Sequence, residues 1–390
     1  MMQSCLRNRW LRISVLASVV GLAWSLMLPS THGQQVQGAS AQNELLYVGM
    51  QEPGIEALRL DLRDGRLQRI GPVATGLRAT WLLAHPARKV LYAVDDDNAR
   101  PGSVSAFAVQ PGSGALDKLG TVDTQGKGTT YLSLDADART LLAASYGTGS
   151  TASIAVNADG SLGALVSNVS VTGSGPHRRQ ASAHNHGAVV APGGRFVLVT
   201  DLGADRIFVH RFDSQTHQLF AQNDAAHAFA VPAGSGPRHL IFGNDGRFAY
   251  LLNELTAQLM VLRWDATQGW LAPEQTVSIS SAGFSGVPSG AELLASADGR
   301  FLYAEDRGEN TLVVYRIDAG TGQLTLVQRI SAQGDKPWGM ALDPSGRWLV
   351  AANQGSGTIR VFAVDTCSGE LTATPSTVSL PRPVSLAFLR

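Results

Sequence analysis

The sequence lacks several features that mark common protein classes. It holds only two cysteines, which excludes a scaffold stabilised by a network of disulfides, so the fold must depend on packing. Its 31 basic and 31 acidic residues balance, whereas a nucleic-acid-binding protein should carry a basic surplus. No block of like charges indicates an acidic or basic tail. We therefore expect no nucleic-acid partner.

Three catalytic or cofactor signatures are also missing. No serine lies in a G-x-S-x-G nucleophile elbow. The glycines at 147–149 follow a strand pattern, but no helix follows them, which argues against a dinucleotide site. The "HNH" at 184–186 resembles a metal-binding pair, yet no carboxylate-rich partner motif accompanies it. The sequence predicts neither a cofactor nor a metal site.

The first 41 residues have the pattern of an export signal. Three arginines precede an apolar stretch at 13–28, and "ASA" at 39–41 offers small residues for cleavage after Ala41. An uncleaved membrane anchor is the alternative, but the apolar stretch is short for a full span. We predict a periplasmic or secreted protein whose mature domain, residues 42–390, has no membrane contact after cleavage.

Glycine and one repeated phrase are what the sequence has in abundance. Its 42 glycines suit short strands joined by tight turns. A turn, a basic residue, an apolar strand and a polar tip recur six times, as in "GNDGRFAYLLNE" (243–254). The basic markers, spaced 47 to 56 residues apart, are Lys89, Arg139, Arg195, Arg247, Arg300 and Arg347. Four apolar runs in each repeat predict four-stranded antiparallel blades of a β-propeller.

The two ends of the mature chain complete this ring. Residues 44–51 match the second strand of a blade with no first strand before it, and residues 382–389 match a first strand with nothing after it. Pairing these ends adds one blade and removes the exposed sheet edges. The prediction is an all-β, seven-bladed β-propeller in which both termini close one blade. No second domain and no oligomerisation signal follow residue 41, so we expect a monomer.

Two positions of the repeat should surround the central channel on one face. The innermost strand starts, and the second strand ends, on the same face of an antiparallel blade. Nine residues before the markers stand Thr80, Thr130, His186, Arg238, Ala291 and Trp338; seven after them stand Asp96, Tyr146, Leu202, Glu254, Arg307 and Gln354. Residue types that vary on a repeated scaffold are typical of a functional surface.

Four of these side chains have the chemistry that ester or lactone hydrolysis requires. His186 can take a proton from water, and Arg238 and Arg307 can stabilise an oxyanion. Glu254 can orient the imidazole or a guanidinium. Each alone could be a salt bridge or a loop cap, but convergence of four from successive blades favours a site.

The motifs that carry these residues resemble the lactonase family of seven-bladed propellers, of the 6-phosphogluconolactonase type. The match includes "RRQASAHNHGAVVAPGGRF" (178–196), "DLGADRIFVHRFD" (201–213), "GSGPRHLIFGNDGRFAYLLNEL" (234–255), "DGRFLYAEDRGENTLVVYRID" (298–318) and "GDKPWGMALDPSGRWLVAANQGSGTIRVF" (334–362), and it spans nearly the whole mature chain. The resemblance implies the same fold and the hydrolysis of a small sugar 1,5-lactone. By motif, it places the catalytic residues at His186, Arg238, Glu254 and Arg307.

Other polar and aromatic residues of these motifs are expected to bind the substrate: Gln180, His184, Asp201, His239, Asn253, Trp338 and Asn353. Two alternative functions remain open. One is an exported propeller that binds a ligand or protein without chemistry, because fold alone does not give function. The other is an isomerase that interconverts muconate and muconolactone. An exported enzyme would not meet a cytoplasmic phosphorylated lactone, so an unphosphorylated aldonolactone fits export better.

Overall fold

A computed structural model describes residues 43–221 and 227–389, and every regular element in these two ranges is a β-strand. The predicted signal segment, residues 1–41, lies outside the described residues. Within the described ranges, no helix has the length and apolar character needed to cross a membrane.

The strands follow one another in chain order with short connections. They are β1 (Asn43–Met50), β2 (Gly54–Asp61), β3 (Leu67–Thr75); β4 (Leu82–Ala84), β5 (Val90–Asp95), β6 (Ser103–Val109), β7 (Leu116–Asp123); β8 (Thr129–Leu134), β9 (Thr140–Ser145), β10 (Ser150–Val156), β11 (Leu162–Ser170); β12 (Asn185–Val190), β13 (Phe196–Asp201), β14 (Arg206–Asp213), β15 (Gln218–Phe220), β16 (Ala228–Ala230); β17 (Pro237–Phe242), β18 (Phe248–Asn253), β19 (Gln258–Asp265), β20 (Trp270–Ser278); β21 (Gly290–Ala295), β22 (Phe301–Asp306), β23 (Thr311–Ile317), β24 (Leu324–Ser331); and β25 (Pro337–Leu342), β26 (Trp348–Asn353), β27 (Thr358–Val364), β28 (Leu371–Ser379), β29 (Pro383–Phe388).

These strands form seven antiparallel sheets, the blades of a propeller. Blades I to VI begin with β4, β8, β12, β17, β21 and β25 as their innermost strands, and each continues outward in chain order. In blade III the outer position is shared by β15 and β16, which both pair with β14. The innermost strands contact one another in sequence round the ring, and β29 contacts both β25 and β4. The predicted seven-bladed propeller is confirmed.

Blade VII is built from both ends of the described chain, as predicted. Its strand order is β29-β1-β2-β3. In the register of β1 against β29, Leu46 lies opposite Phe388 and Val48 opposite Leu386. These apolar pairs are buried in one cluster with Val350 of blade VI. The closing strand β29 therefore joins the two ends of the described chain in one sheet. It also packs in the interface between blades VI and VII.

Burial explains why the inner and outer strands differ in sequence. The second strand of a blade is covered on both faces by its neighbours, so β22 is buried along its whole length. The outermost strand β28 packs on one face only, and its residues alternate between less and more exposed positions. The continuous apolar runs are therefore inner strands, and the fourth run of a repeat alternates in polarity because it forms the outer strand.

The basic marker of the repeat links adjacent blades. Arg247 of blade IV donates through Nη2 to the Ala319 carbonyl in blade V at 2.8 Å. Arg347 of blade VI does the same to the Leu62 carbonyl in blade VII at 3.0 Å. Each guanidinium thus satisfies a backbone carbonyl in a turn of the next blade. This contact gives the repeated basic residue a structural reason that sequence spacing alone does not supply.

Candidate active site

The mouth of the central channel has the same backbone geometry in all seven blades. In each blade, the amide that follows the second strand donates to a carbonyl in the segment that leads into the innermost strand. The pairs are Asp96–Arg78, Tyr146–Gly128, Leu202–His184, Glu254–Gly236, Arg307–Ser289, Gln354–Lys336 and Gln51–Arg382, at 2.7 to 3.1 Å. The two columns of varied residues therefore meet at one face, as the register predicted.

A β-bulge places the inner residue of the column at the channel. Register shifts in four blades leave one extra residue between paired neighbours: Thr130, His186, Arg238 and Trp338. Bulges re-aim a side chain beside an active site. These four side chains line one cavity of about 40 Å³ together with Thr80 and Asp96. That volume has room for ordered water between its polar walls.

Glu254 is the centre of the charged cluster at this mouth. Its side chain is 3% exposed and accepts hydrogen bonds from three guanidinium groups. Arg238 Nε lies 3.2 Å from Oε2, Arg307 Nη2 lies 2.8 Å from Oε1, and Arg179 Nη1 donates to the same Oε1. His186 Nε2 stands 3.7 Å from Oε2. The structure thus brings all four predicted catalytic residues together and adds Arg179.

The electrostatics of the cluster follow from burial and charge. Burial acts to raise the pKa of Glu254, but Arg307, Arg238 and Arg179 outweigh it and hold that pKa below its ordinary value. Burial, with Arg238 nearby, lowers the pKa of His186 well below its ordinary value. Glu254 is therefore ionised and His186 neutral near pH 7, and the cluster keeps two more positive than negative charges.

Three of the predicted substrate-binding residues lie at the cluster. Trp338 stacks under the Arg307 guanidinium, with 4.1 Å between the guanidinium carbon and the ring centre. The His184 ring stacks on Tyr146 at 4.4 Å. The His239 ring lies 5.1 Å from the His186 ring and lines the same cavity. Trp338 and His239 line the mouth cavity, and substrate binding by all three residues stays a prediction.

The other four predicted substrate-binding residues are fully buried, and none lines the cavity as the described residues define it: Gln180, Asp201, Asn253 and Asn353. Gln180 donates to the Leu202 carbonyl at 2.8 Å and to Asp205 at 2.7 Å. Asp201 accepts from the Ala204 amide at 2.6 Å. These bonds hold the loops that carry the mouth residues, so the geometry favours a supporting role. Substrate binding by these four stays a prediction.

Arg179 was not among the residues predicted from the sequence, although it lies in the family-like segment 178–196. Arg179 stands in the segment between β11 and β12, outside both columns of the repeat. Its guanidinium also donates to the Tyr146 hydroxyl at 3.1 Å. The unusual length of this segment was the available signal, because the matching segment between β7 and β8 is much shorter. A long connection can fold over the channel.

Chemically, the cluster can bind an anion and move a proton. The guanidinium groups present donors in a fixed geometry to a carboxylate or a developing oxyanion. A neutral imidazole at the same cavity can accept a proton from water. Within the described ranges, no group of three or more His, Cys, Asp or Glu side chains is arranged to hold a metal ion.

Comparison with known proteins gives one consistent family. Residues 45–388 match the model of the lactonase, 7-bladed beta-propeller family. A 6-phosphogluconolactonase of Bacillus subtilis is 31% identical over 336 residues, covering 86% of this chain and 94% of the relative. A 6-phosphogluconolactonase of Formosa agariphila is 28% identical, covering 75% of this chain and 83% of the relative. The structure of a Pseudomonas aeruginosa periplasmic gluconolactonase superposes with a TM-score of 0.83 at 37% identity, covering 89% of this chain and 99% of that one.

Proposed function

The chain belongs to the family of seven-bladed β-propeller lactonases, and from this premise we propose that it hydrolyses an aldono-1,5-lactone to the aldonate at the Glu254 cluster. The protein is a lactonase that acts on a sugar lactone, as its named relatives are. The observation that carries the assignment to this site is the convergence of three guanidinium groups and a neutral imidazole on one buried carboxylate.

In the proposed reaction, water attacks the lactone carbonyl while His186 takes its proton. Burial keeps His186 neutral, so the imidazole is available as a base at neutral pH. Arg238 and Arg307 stabilise the negative charge that develops on the carbonyl oxygen, and then the product carboxylate. The His186 proton passes to the ring oxygen as the ester bond breaks.

Glu254 has a supporting role in this scheme. Its carboxylate holds Arg238 and Arg307 at 3.2 and 2.8 Å, so both donors are in place before the substrate arrives. Preorganised donors stabilise a transition state without reorganisation during the reaction. Glu254 therefore acts through the arginines.

The direct test uses purified residues 42–390 with glucono-1,5-lactone and its 6-phosphate, and acid release is followed after subtraction of spontaneous hydrolysis. We expect acceleration by the wild type and a loss of about a hundredfold or more in kcat/KM for His186→Ala and Arg238→Ala. Arg211→Ala is the matched control, because Arg211 is exposed on β14, away from the mouth. Unchanged turnover in His186→Ala would remove this residue from the mechanism.

We further propose that the physiological substrate is unphosphorylated and that the protein is exported. The support is the export-signal pattern of residues 1–41 and the 37% identity to a periplasmic gluconolactonase. Export implies a mature N-terminus at Gln42 and a higher kcat/KM for glucono-1,5-lactone than for its 6-phosphate. N-terminal sequencing of the protein from the periplasm or medium tests the cleavage position. The ratio of kcat/KM for the two lactones tests the substrate preference.

A further inference from the structure

Two cavities lie one above the other along the propeller axis. The first is the 40 Å³ mouth cavity, lined by residues at the start of the innermost strands, such as Thr80 and Arg238. The second has a volume of about 520 Å³ and is lined by later residues of the same strands, from Leu82 to the turn residues Pro86 and Asp135. These turns lie on the face opposite the mouth. The larger cavity, called the lower cavity below, thus extends toward that face.

Three rings separate the cavities. Trp81 lies 4.4 Å from Tyr131 and 5.0 Å from His239, and Tyr131 lies 4.9 Å from His239, measured between ring centres. Trp81 and His239 line both cavities. Of the three rings, only the imidazole of His239 can readily accept a proton on one nitrogen and release one from the other.

His239 is joined to a buried carboxylate on the lower side. Its Nδ1 lies 2.9 Å from Oε1 of Glu292, and Glu292 lines the lower cavity. Arg238, next to His239 in the chain, lies 3.1 Å from the same Nδ1 through Nη1. An unbroken chain of contacts thus leads from the Glu254 cluster through His239 to Glu292. The hydrolytic scheme above makes no use of either residue.

We propose that His239 and Glu292 conduct the proton released by lactone hydrolysis out of the mouth cavity into the lower cavity. The proposal rests on the lactonase function proposed above. Hydrolysis consumes a neutral lactone and water and yields a carboxylate and one proton. The substrate enters by the mouth, and its product carboxylate is held there by arginines, so a separate exit lets the proton leave while the mouth is occupied.

The transfer is balanced in protons. His239 accepts a proton on Nε2 from the mouth cavity as its Nδ1–H passes one proton to Glu292 Oε1; the two transfers are concerted, because burial and Arg238 hold the pKa of His239 well below its ordinary value. The imidazole then tautomerises from Nε2–H back to Nδ1–H before the next turnover. Glu292 then releases that proton to water in the lower cavity. The groups that face Glu292 are Tyr131 from β8, Arg238 and His239 from β17, and Glu305 from β22. Burial raises the pKa of Glu292 to about 7, a value suited to both accepting and releasing a proton near neutrality.

The test compares Glu292→Gln with Glu56→Gln. A glutamine at 292 keeps a hydrogen bond to His239 but cannot carry the proton. Glu56 is a buried carboxylate on β2 that pairs with Arg69 and, among the residues that the structure describes, lines neither cavity, so it is the control. Hydrolysis of glucono-1,5-lactone is measured in dilute buffer and again with added imidazole, after subtraction of the uncatalysed rate in each.

In dilute buffer, we expect kcat of Glu292→Gln to fall roughly tenfold to a hundredfold with KM unchanged, and imidazole to restore it. Glu56→Gln should match the wild type at both buffer concentrations. The proposal is overturned if Glu292→Gln has wild-type kcat in dilute buffer, or if its loss persists in imidazole, since a purely structural defect is not repaired by a small base.

A measurement on the wild type covers the case in which the variant fails to fold. Below about pH 7, Glu292 is increasingly protonated and accepts protons poorly, so kcat should fall there and rise with buffer concentration. A wild-type kcat independent of buffer concentration at acidic pH would overturn the proposal. A wild type that hydrolyses neither gluconolactone nor its 6-phosphate would instead overturn the proposed function.

Discussion

Arg179 is the residue whose role the geometry makes easiest to isolate. Its side chain is 39% exposed, whereas the other two arginines on Glu254 are nearly buried. An exposed guanidinium at the rim can contact the substrate before the buried ones do, and its removal leaves two arginines on Glu254. Its function should therefore separate from stability.

We predict that Arg179→Ala raises KM for gluconolactone about tenfold, because the substrate loses one charge-assisted hydrogen bond. The free energy of unfolding should change little. Steady-state kinetics and urea unfolding measure the two quantities. Arg178→Ala is the control, because Arg178 is the exposed neighbour in the same segment. Equal effects of both variants would mean that general surface charge, rather than the Arg179 contact, attracts the substrate.

Glu292 also has a measurable effect on stability. Burial raises its pKa from 4.5 to about 7, so the folded protein holds this proton more tightly than the unfolded chain. Stability from this group is therefore lost as pH rises from about 4.5 to about 7. Glu292→Gln carries no such proton, and its free energy of unfolding relative to wild type should rise by roughly 3 kcal/mol over that window.

Urea unfolding at several pH values tests this sign. Asp298→Asn provides a comparison of opposite direction. Burial acts to raise the pKa of Asp298, but hydrogen bonds from Ser296 and Arg300 outweigh it and the pKa is lowered. The relative stability of Asp298→Asn should therefore fall as pH rises through the acidic range. A pH-independent difference for Glu292→Gln would show that its carboxyl is not protonated by burial.

At the scale of strands and turns, glycines of equal backbone conformation differ in what surrounds them. Gly322 and Gly346 both end tight turns with φ near +70°. A methyl group on Gly322 would meet the Phe248 ring of the preceding blade, while one on Gly346 would meet nothing within 4 Å. The turn at 322 is thus also an interface between blades.

Gly346→Ala should lower the free energy of unfolding by about 1 kcal/mol, because the alanine must adopt the left-handed backbone conformation. Gly322→Ala should lower the free energy of unfolding by roughly 1 to 3 kcal/mol more than Gly346→Ala does, because the Phe248 ring must move. The difference in urea midpoints between the two variants isolates the interface contribution. Equal costs would mean that Phe248 relaxes freely and that the turn does not support the blade contact.

For the molecule as a whole, closure of the ring is the critical contact. Phe388 in β29 is 6% exposed and packs in the cluster shared by blades VI and VII. Without β29, β1 would be an open edge strand with apolar residues on both faces. The same strand also contributes Val384 to the mouth cavity. Closure therefore couples global stability to the geometry of the active site.

Phe388→Ala should lower the free energy of unfolding by about 3 to 5 kcal/mol, as expected for a large side chain removed from a core. Phe220→Ala, at a residue that is 47% exposed on β15, should change it by less than about 0.5 kcal/mol. Thermal and urea unfolding compare the two. A mild effect at Phe388 would show that this side chain contributes little to holding β29 in the closing blade.

The repeat pattern alone predicts the blade number, the closure by both termini and the convergence of His186, Arg238, Glu254 and Arg307. Each of these follows from a local repeat, since a fixed strand register carries equivalent positions to the same face. The spacing also predicts which strand ends surround the channel. It does not predict the β-bulges that place His186 and Arg238 at the channel.

Which side chains touch depends on how the blades pack in three dimensions. Arg179 reaches Glu254 from a connection outside the repeat, and His239 meets Glu292 in the next blade, 53 residues away. The burial of Gln180 and Asp201 likewise could not be deduced from their motifs. Hydrogen bonding and pKa depend on distance in space and on desolvation, and a repeat pattern along the chain contains neither.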